Sequence, residues 1–394
     1  MAFILAVLAT KLNIMRTAKP WRSQFMNKVL VIGAGKIGGK IGELLAHSGD
    51  YQVTLADAQI QHIPRPQHRA ISLQALDVKQ AEVLQSTTAQ HDIVISAAPF
   101  DLTPDIARAA ATTNTHYIDL TEDVASTREV KRLAQAAQCA FIPQSGLAPG
   151  FISIAAYHIA KEFDELHDVH MRVGALPIYP SNALKYNLTW STEGLINEYC
   201  EPCEAIVNGE LAQVPPLEEL ETFSLDGITY EAFNTSGGLG TLAHTLVGKV
   251  RNLNYRTVRY PGHRDVMKML LQDLRLCERQ PLLKEILENA LPVTHQDVVL
   301  VFINVSGKKN GRLVQESYAN KIYNQEIAGQ HFNAIQVTTC SSACAVIDLL
   351  AQGKIPQQGF VRQEDIRFED FISNRFGCYF AKGPITEESR KRVA

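Results

Sequence analysis

Apolar positions in the first third of the chain come in short runs separated by helical spacing. Residues 29–32 are Val-Leu-Val-Ile; glycines follow at 33, 35 and 38, then Ile37, Ile41, Leu44 and Leu45 at three- and four-residue intervals. This predicts a strand, a tight turn and a helix with one apolar face. A second apolar strand over 52–56 ends in Asp57. The alternation continues with a strand at 71–76 ending in Asp77, a helix over 79–85 and a strand at 91–97. A helix at 103–112, a short strand at 116–120, an amphipathic helix at 124–138 and a strand at 139–144 complete it. The 91–97 run is apolar on both faces, as a buried parallel strand requires. Strands alternating with helices predict an α/β fold with a doubly wound parallel sheet.

The pattern changes after residue 150. Residues 168–176 alternate like a strand and stop at Pro177 and Pro180, and residues 186–192, rich in aromatic and β-branched side chains, read as a strand. A helix is predicted at 193–199. Asn208-Gly209 and Asp226-Gly227 follow strand-like runs and mark hairpins. Two long strands, 298–306 and 312–323, flank a turn. The expected organisation is a discontinuous Rossmann-type domain, 26–148 and 338–380, with an inserted α+β substrate domain, 149–337. The helix at 338–352 and the strandless segment after it should return to the first domain. Residues 1–25 read as an extended start or a disordered leader ahead of Met26; their apolar stretch, 3–9, is too short to span a bilayer. Long strands such as 298–306 present edges that are usually covered, which leads to the expectation of a homo-oligomer, a dimer or larger.

Composition narrows the classes. A formal net charge of −3 without a basic stripe gives nucleic acid no electrostatic footprint. No run reaches transmembrane length, so no membrane partner is expected. Seven cysteines without regular spacing argue against a disulfide framework and for a cytoplasmic protein. Cys200 and Cys203 read as packed thiols, as do Cys340 and Cys344, one helical turn apart. No His/Cys/Asp group has metal-ligand spacing, so no metal is expected. No activated-nucleophile motif occurs.

The strand, glycine turn, helix and terminal acid at 28–57 form a dinucleotide fingerprint. Gly33 permits the turn, Gly35 lets a pyrophosphate approach, and Gly38 lets the helix pack closely, with Lys36 and Ile37 between them at the phosphate. Asp57 is placed to accept from ribose hydroxyls and to repel a 2′-phosphate, which favours NAD as cofactor. Arg65 and Arg69 are the residues that could instead receive a 2′-phosphate. Asp77 and Val78 are candidates beside the adenine. Ser96, Ala97, Ala98 and Pro99, at the carboxyl end of the fourth strand, and Gly146 are candidates beside the nicotinamide.

Three motifs are more specific than the glycines: SGLAPG at 145–150, KYNLTWS at 185–191 and RYPGH at 259–263. Together they resemble the saccharopine dehydrogenase family, and within it the L-lysine 6-dehydrogenases most; the likeness runs from about Met26 to Phe380. The resemblance implies oxidation of an amine-bearing carbon of an amino acid with hydride transfer to a nicotinamide. In one branch the ε-carbon of lysine becomes an imine that loses ammonia to give a semialdehyde, which cyclises. In the other, saccharopine is oxidised and hydrolysed to glutamate and the same semialdehyde. A synthetic-direction amine reductase and a non-catalytic NAD(H)-binding sensor stay open as alternatives. Such chemistry needs a base near the working pH and a cation for the substrate carboxylate. The candidates are His263, Asp119 and Lys185 for catalysis, and Arg259, Tyr186, Trp190 and His244 for substrate binding.

Overall fold

The computed structural model describes residues 26–66 and 68–382. The reading of 1–25 as a leader falls outside the described residues.

Six strands follow the alternation: β1 (Asn27–Ile32), β2 (Tyr51–Asp57), β3 (Ile71–Ala75), β4 (Ile93–Ser96), β5 (His116–Asp119) and β6 (Ala140–Ile142). They pair in parallel in the order β6-β5-β4-β1-β2-β3, so the order in which the chain adds strands reverses between β1 and β4. The crevice at such a reversal is where open α/β sheets bind ligands. Val29, Val31, Val53, Ile93 and Ile95 are fully buried, as their unbroken apolar runs require.

The second sheet is mixed. It is built from β7 (Glu165–Pro177), β8 (Cys203–Val207), β9 (Glu210–Val214), β10 (Glu221–Leu225), β11 (Ile228–Asn234), β12 (Val250–Arg259), β13 (Asp297–Lys309) and β14 (Arg312–Tyr323). Its order is β10-β11-β12-β7-β13-β14, with β8 and β9 attached beside β12. Both predicted turns are hairpins, joining β8 to β9 and β10 to β11. The 298–306 run is not an edge. It belongs to β13, which pairs with β7 on one side and β14 on the other, so the oligomer expectation loses that ground.

Residues 186–191 are not a strand. The Asn182 side chain holds both the N–H and the carbonyl of Tyr186, bending the chain so that Leu184, Tyr186 and Leu188 enter a satellite core with Leu195, Met267 and Leu283. Tyr186 and Leu188 thus serve that core, with Trp190 packed against it, and not a pleated face.

After a small hairpin of β15 (Gln325–Ile327) and β16 (Gln330–Phe332), the Ala334–Ala351 helix begins with an Asn333–Gln336 capping box. The buried Asp297 carboxylate also accepts from the N–H groups of Ala334 and Ile335. This helix lies against the Gly38–His47 helix, the thiols of Cys340 and Cys344 donating to the carbonyls of Ile37 and Ile41. It also faces the second sheet, and one apolar cluster runs from Val29 and Ile41 through Val346 to Val299 and Val301. The helix is long and apolar enough to cross a membrane, but 83% of it is buried inside the fold. The segment after it does supply a strand, β17 (Gly359–Phe360), which adds to β6.

Cys200 is not a free thiol: it is disulfide-bonded to Cys277, 77 residues away, joining the end of the Thr192–Cys200 helix to the Leu276–Arg279 turn. Cys203 is a buried free thiol.

Candidate active site

A cavity of about 750 Å³ opens at the β1/β4 reversal, between the two sheets. Of the glycine turn, Ile37 lines it. Gly33 has φ +96°, and a side chain there would collide with the backbone of Ala97 and Ala98 at 2.6–2.7 Å. Gly38 similarly packs against the Gly33 carbonyl, while above Gly35 nothing lies within 4 Å. The backbone is therefore closed where the helix packs and open where a pyrophosphate would rest, beside the start of the Gly38–His47 helix. Asp57 ends β2; its Oδ2 accepts from the Ala34 N–H at 2.9 Å and its Oδ1 from the Gln59 N–H at 2.8 Å. This ties the carboxylate to the glycine turn. Arg65 and Arg69 are exposed. The described residues thus fit a dinucleotide. Ile37, Ser96, Ala97, Ala98, Pro99 and Gly146 all line the cavity, and the buried Ser96 hydroxyl has no hydrogen-bond partner among the described residues. Lys36 is exposed beside them, with its carbonyl accepting from Gln336. Val78 is buried and Asp77 exposed, its Oδ1 accepting from the Lys79 N–H.

The opposite wall comes from the second domain. Arg259 ends β12 and lines the cavity while only 2% exposed. Its Nε donates to the Tyr199 hydroxyl at 2.9 Å and its Nη1 to the Val258 carbonyl at 2.8 Å. No hydrogen bond among the described residues uses Nη2. The guanidinium sits 5.0 Å from the centroid of the Tyr186 ring, a cation–π placement that holds it flat. Tyr186 is buried behind it and accepts from the Trp190 indole N–H at 3.0 Å. Trp190 itself lines the cavity.

The three residues expected to do chemistry are elsewhere. His263 does not line the cavity. It is fully buried at the start of the His263–Lys268 helix, with Nδ1 against the Leu184 carbonyl at 2.8 Å and Nε2 against the Tyr199 hydroxyl at 3.0 Å. A carbonyl only accepts, so Nδ1 carries the proton and Nε2 accepts from Tyr199. Burial and the charge of Arg259 push its pKa down to about 3, and the ring stays neutral. The run Arg259–Tyr199–His263–Leu184 is a brace that orients the arginine. Asp119 is also outside the lining. Its Oδ1 accepts from the N–H groups of Gln144 and Thr121 and its Oδ2 from the Tyr117 hydroxyl, so it ties the ends of β5 and β6 together. Burial lifts its pKa to about 6, against those hydrogen bonds. Lys185 donates Nζ to the Pro261 carbonyl at 2.7 Å, strapping the KYNLTWS loop to the RYPGH turn. His244 is exposed at a separate small pocket.

Two carboxylates do reach the cavity. Glu122, in the loop after β5, and Glu198, on the Thr192–Cys200 helix, both line the cavity. Burial raises Glu122 to about 7, its own backbone N–H opposing and Asp123 and Asp119 adding. Burial, then the charge of Glu122, raises Glu198 to about 8 against the pull of Arg259. Glu122 entered the sequence reading only as one of a cluster of acids, and Glu198 did not enter it. The signal was present: Glu198 lies four residues after Gly194 and three after Leu195, on the helix face that becomes buried.

The chain matches the family model described as the saccharopine dehydrogenase NADP binding domain over residues 29–142, and that described as the saccharopine dehydrogenase C-terminal domain over 146–375. It is 27% identical over 208 residues to the mitochondrial alpha-aminoadipic semialdehyde synthase of Mus musculus, covering 49% of this chain and 22% of that protein. It is 24% identical over 275 residues to the saccharopine dehydrogenase (NADP(+), L-glutamate-forming) of Pyricularia oryzae, covering 65% and 60%. The chain thus spans less than two thirds of the length of these relatives. Among solved structures, the apo saccharopine dehydrogenase (L-Glu forming) of Saccharomyces cerevisiae shares the fold with a TM-score of 0.71 at 16% identity, over 88% of this chain and 96% of that one.

Proposed function

Because the chain belongs to the saccharopine dehydrogenase family, we propose that it is an oxidoreductase of lysine metabolism that oxidises the ε-carbon of L-lysine with NAD. The charge balance of the cavity carries this reading. Its charged lining residues are Asp101, Glu122, Glu193, Glu198, Arg259 and Lys284. Lys284 pairs with Glu193 at 2.5 Å, so Asp101, Glu122 and Glu198 face Arg259 as the one remaining cation among the described lining residues. Lysine carries one carboxylate and two amines, which matches that balance. Saccharopine carries three carboxylates, for which Arg259 is the one unpaired lining cation among the described residues. Arg259, with Nη2 free of hydrogen-bond partners among the described residues, is the seat for the α-carboxylate.

When bound, the nicotinamide accepts a hydride from the carbon bearing the amine. The chain's own part is to hold that carbon in place, keep water out and manage the amine's protons. The small side chains of Ser96, Ala97 and Ala98, with Gly146, leave room on one side, and Trp190 and Ile335 close apolar surface on the other. Hydrolysis of the imine then gives ammonia and a semialdehyde that cyclises. Asp57 supports NAD over NADP, since a carboxylate fixed at the glycine turn repels a 2′-phosphate. Oxidation of saccharopine is the second reading, favoured by the activities for which the relatives are named. Incubation with NAD or NADP and a panel of lysine, ornithine and saccharopine, followed by NAD(P)H absorbance, tests both. Lysine with NAD should give the signal; saccharopine alone with NADP would overturn substrate and cofactor together.

A further inference from the structure

The cavity holds a buried carboxylate that no protein group satisfies. Glu198 is 8% exposed and lines the cavity, and its carboxylate receives no hydrogen bond and no ion pair among the described residues. Glu122 meets it from the other domain. The Oε1 of Glu122 lies against Gly194, one turn before Glu198 on the same helix, where an added Cβ would sit 3.0 Å from it. Gly237 packs against the stem and carbonyl of Glu122 and fixes its direction. Glu198 is anchored at its backbone, its carbonyl accepting from the Ser236 N–H at 2.9 Å. The carboxylate of Glu198 is thus left to the cavity, and that of the half-buried Glu122 is met among the described residues only by its own backbone N–H. An uncompensated buried charge is costly, and two close together cost more. A ligand cation between them relieves both costs.

We propose that Glu122 and Glu198 act as a pair, one from each domain, that seats the reacting ammonium of the substrate and takes one of its protons; this rests on the amine-oxidising reading above and assigns its base. The groups facing the pair are Asp119 and Asp123 beside Glu122, Arg259 and Tyr255 from β12, and Tyr199 on the helix of Glu198. Arg259 is the one permanent cation among them and is committed to its brace and to the carboxylate end. His263, Asp119 and Lys185 have their polar atoms occupied by the protein and do not reach the cavity. In the reaction one N–H bond of the bound ammonium breaks; its proton goes to the ionised carboxylate and its electron pair stays on nitrogen. The neighbouring C–H bond then breaks, both electrons leaving with the hydride for the oxidised nicotinamide, while the nitrogen pair forms the C=N bond. Substrate loses two electrons, and the imine cation is left beside one carboxylic acid and one carboxylate. A carboxylate raised towards neutral pH is matched to this exchange.

The test uses the full chain with Glu122→Gln, Glu198→Gln and Glu198→Asp. With L-lysine and NAD, each Gln variant should lose about 100-fold or more in kcat, and Glu198→Asp should recover part of it. NAD affinity should be unchanged. The unsubstituted protein should show a limb in its pH–rate profile near 7 to 8, and that limb should be absent from the Gln variants. A merely structural role would lower the amount of folded protein without removing that limb. Calorimetry of L-lysine binding to the NADH complex separates the two claims. Binding should weaken at least tenfold in either Gln variant, even if turnover is absent. Equal binding, rate and pH profile in all forms would overturn the pair; turnover of lysine by the unsubstituted protein would then still uphold the amine-oxidising reading.

Discussion

Replacing Glu198 with Gln should stabilise the protein at high pH and do little at low pH. A carboxylate whose pKa is raised on folding binds protons that the unfolded chain has released, so stability falls as pH rises through the interval between the two values. For Glu198 that interval runs from 4.5 to about 8. At 1.36 kcal/mol per pH decade, ionising it in the folded state costs on the order of 5 kcal/mol, nearly all of it incurred by pH 9. Gln keeps the shape and carries no charge at any pH. The advantage of Glu198→Gln should therefore grow from a small value at pH 5 to several kcal/mol at pH 9, an increase in Tm of roughly 5 °C or more. Glu122→Gln should show the same trend at smaller size, since its interval, 4.5 to about 7, is shorter. Thermal melts of the three proteins at half-unit steps from pH 5 to 9 provide the curves. Parallel curves for Glu198→Gln and the unsubstituted protein would refute the reasoning, because they would mean that Glu198 ionises in the fold without cost.

Other expectations follow from the same geometry. Arg259→Ala should raise KM for lysine by tenfold or more with a smaller change in kcat, because a carboxylate seat acts on ground and transition states alike; steady-state kinetics against NAD-saturated protein reads this. His263→Gln should leave the pH dependence of kcat/KM intact, since the ring is neutral and away from the cavity, but cost roughly 1–3 kcal/mol of stability by disturbing the Tyr199 and Leu184 hydrogen bonds; loss of a pH limb would reinstate it as the base. Asp57→Ala should weaken NAD binding about tenfold, as loss of charge-assisted hydrogen bonds does, and narrow the preference over NADP, which fluorescence titration of both reduced cofactors measures.

Much of the first domain was legible because its signals are local. A strand, a glycine turn, a helix and Asp57 lie within one stretch, and each part keeps its meaning wherever the unit packs. The hairpins at Asn208-Gly209 and Asp226-Gly227 were legible for the same reason. The site was less so. RYPGH reads as a surface turn with an available histidine, yet the satellite core folds over it, and only that burial turns His263 from a base into a brace. Asp119 sits at the right strand end, but whether its oxygens face the crevice or the neighbouring loop is decided by where Gln144 returns. The bond between Cys200 and Cys277 spans 77 residues with no spacing to announce it. Glu198 could have been found as a charge on the buried face of its helix; its meeting with Glu122 depends on how the two domains close.

The most direct test of the account follows the ε-nitrogen. L-lysine labelled with 15N at the ε-position, incubated with the protein and NAD, should yield one labelled free ammonium ion for each NADH formed, together with a cyclic imine. NADH formed from saccharopine instead, with its nitrogen recovered in glutamate and none as free ammonium, would contradict it.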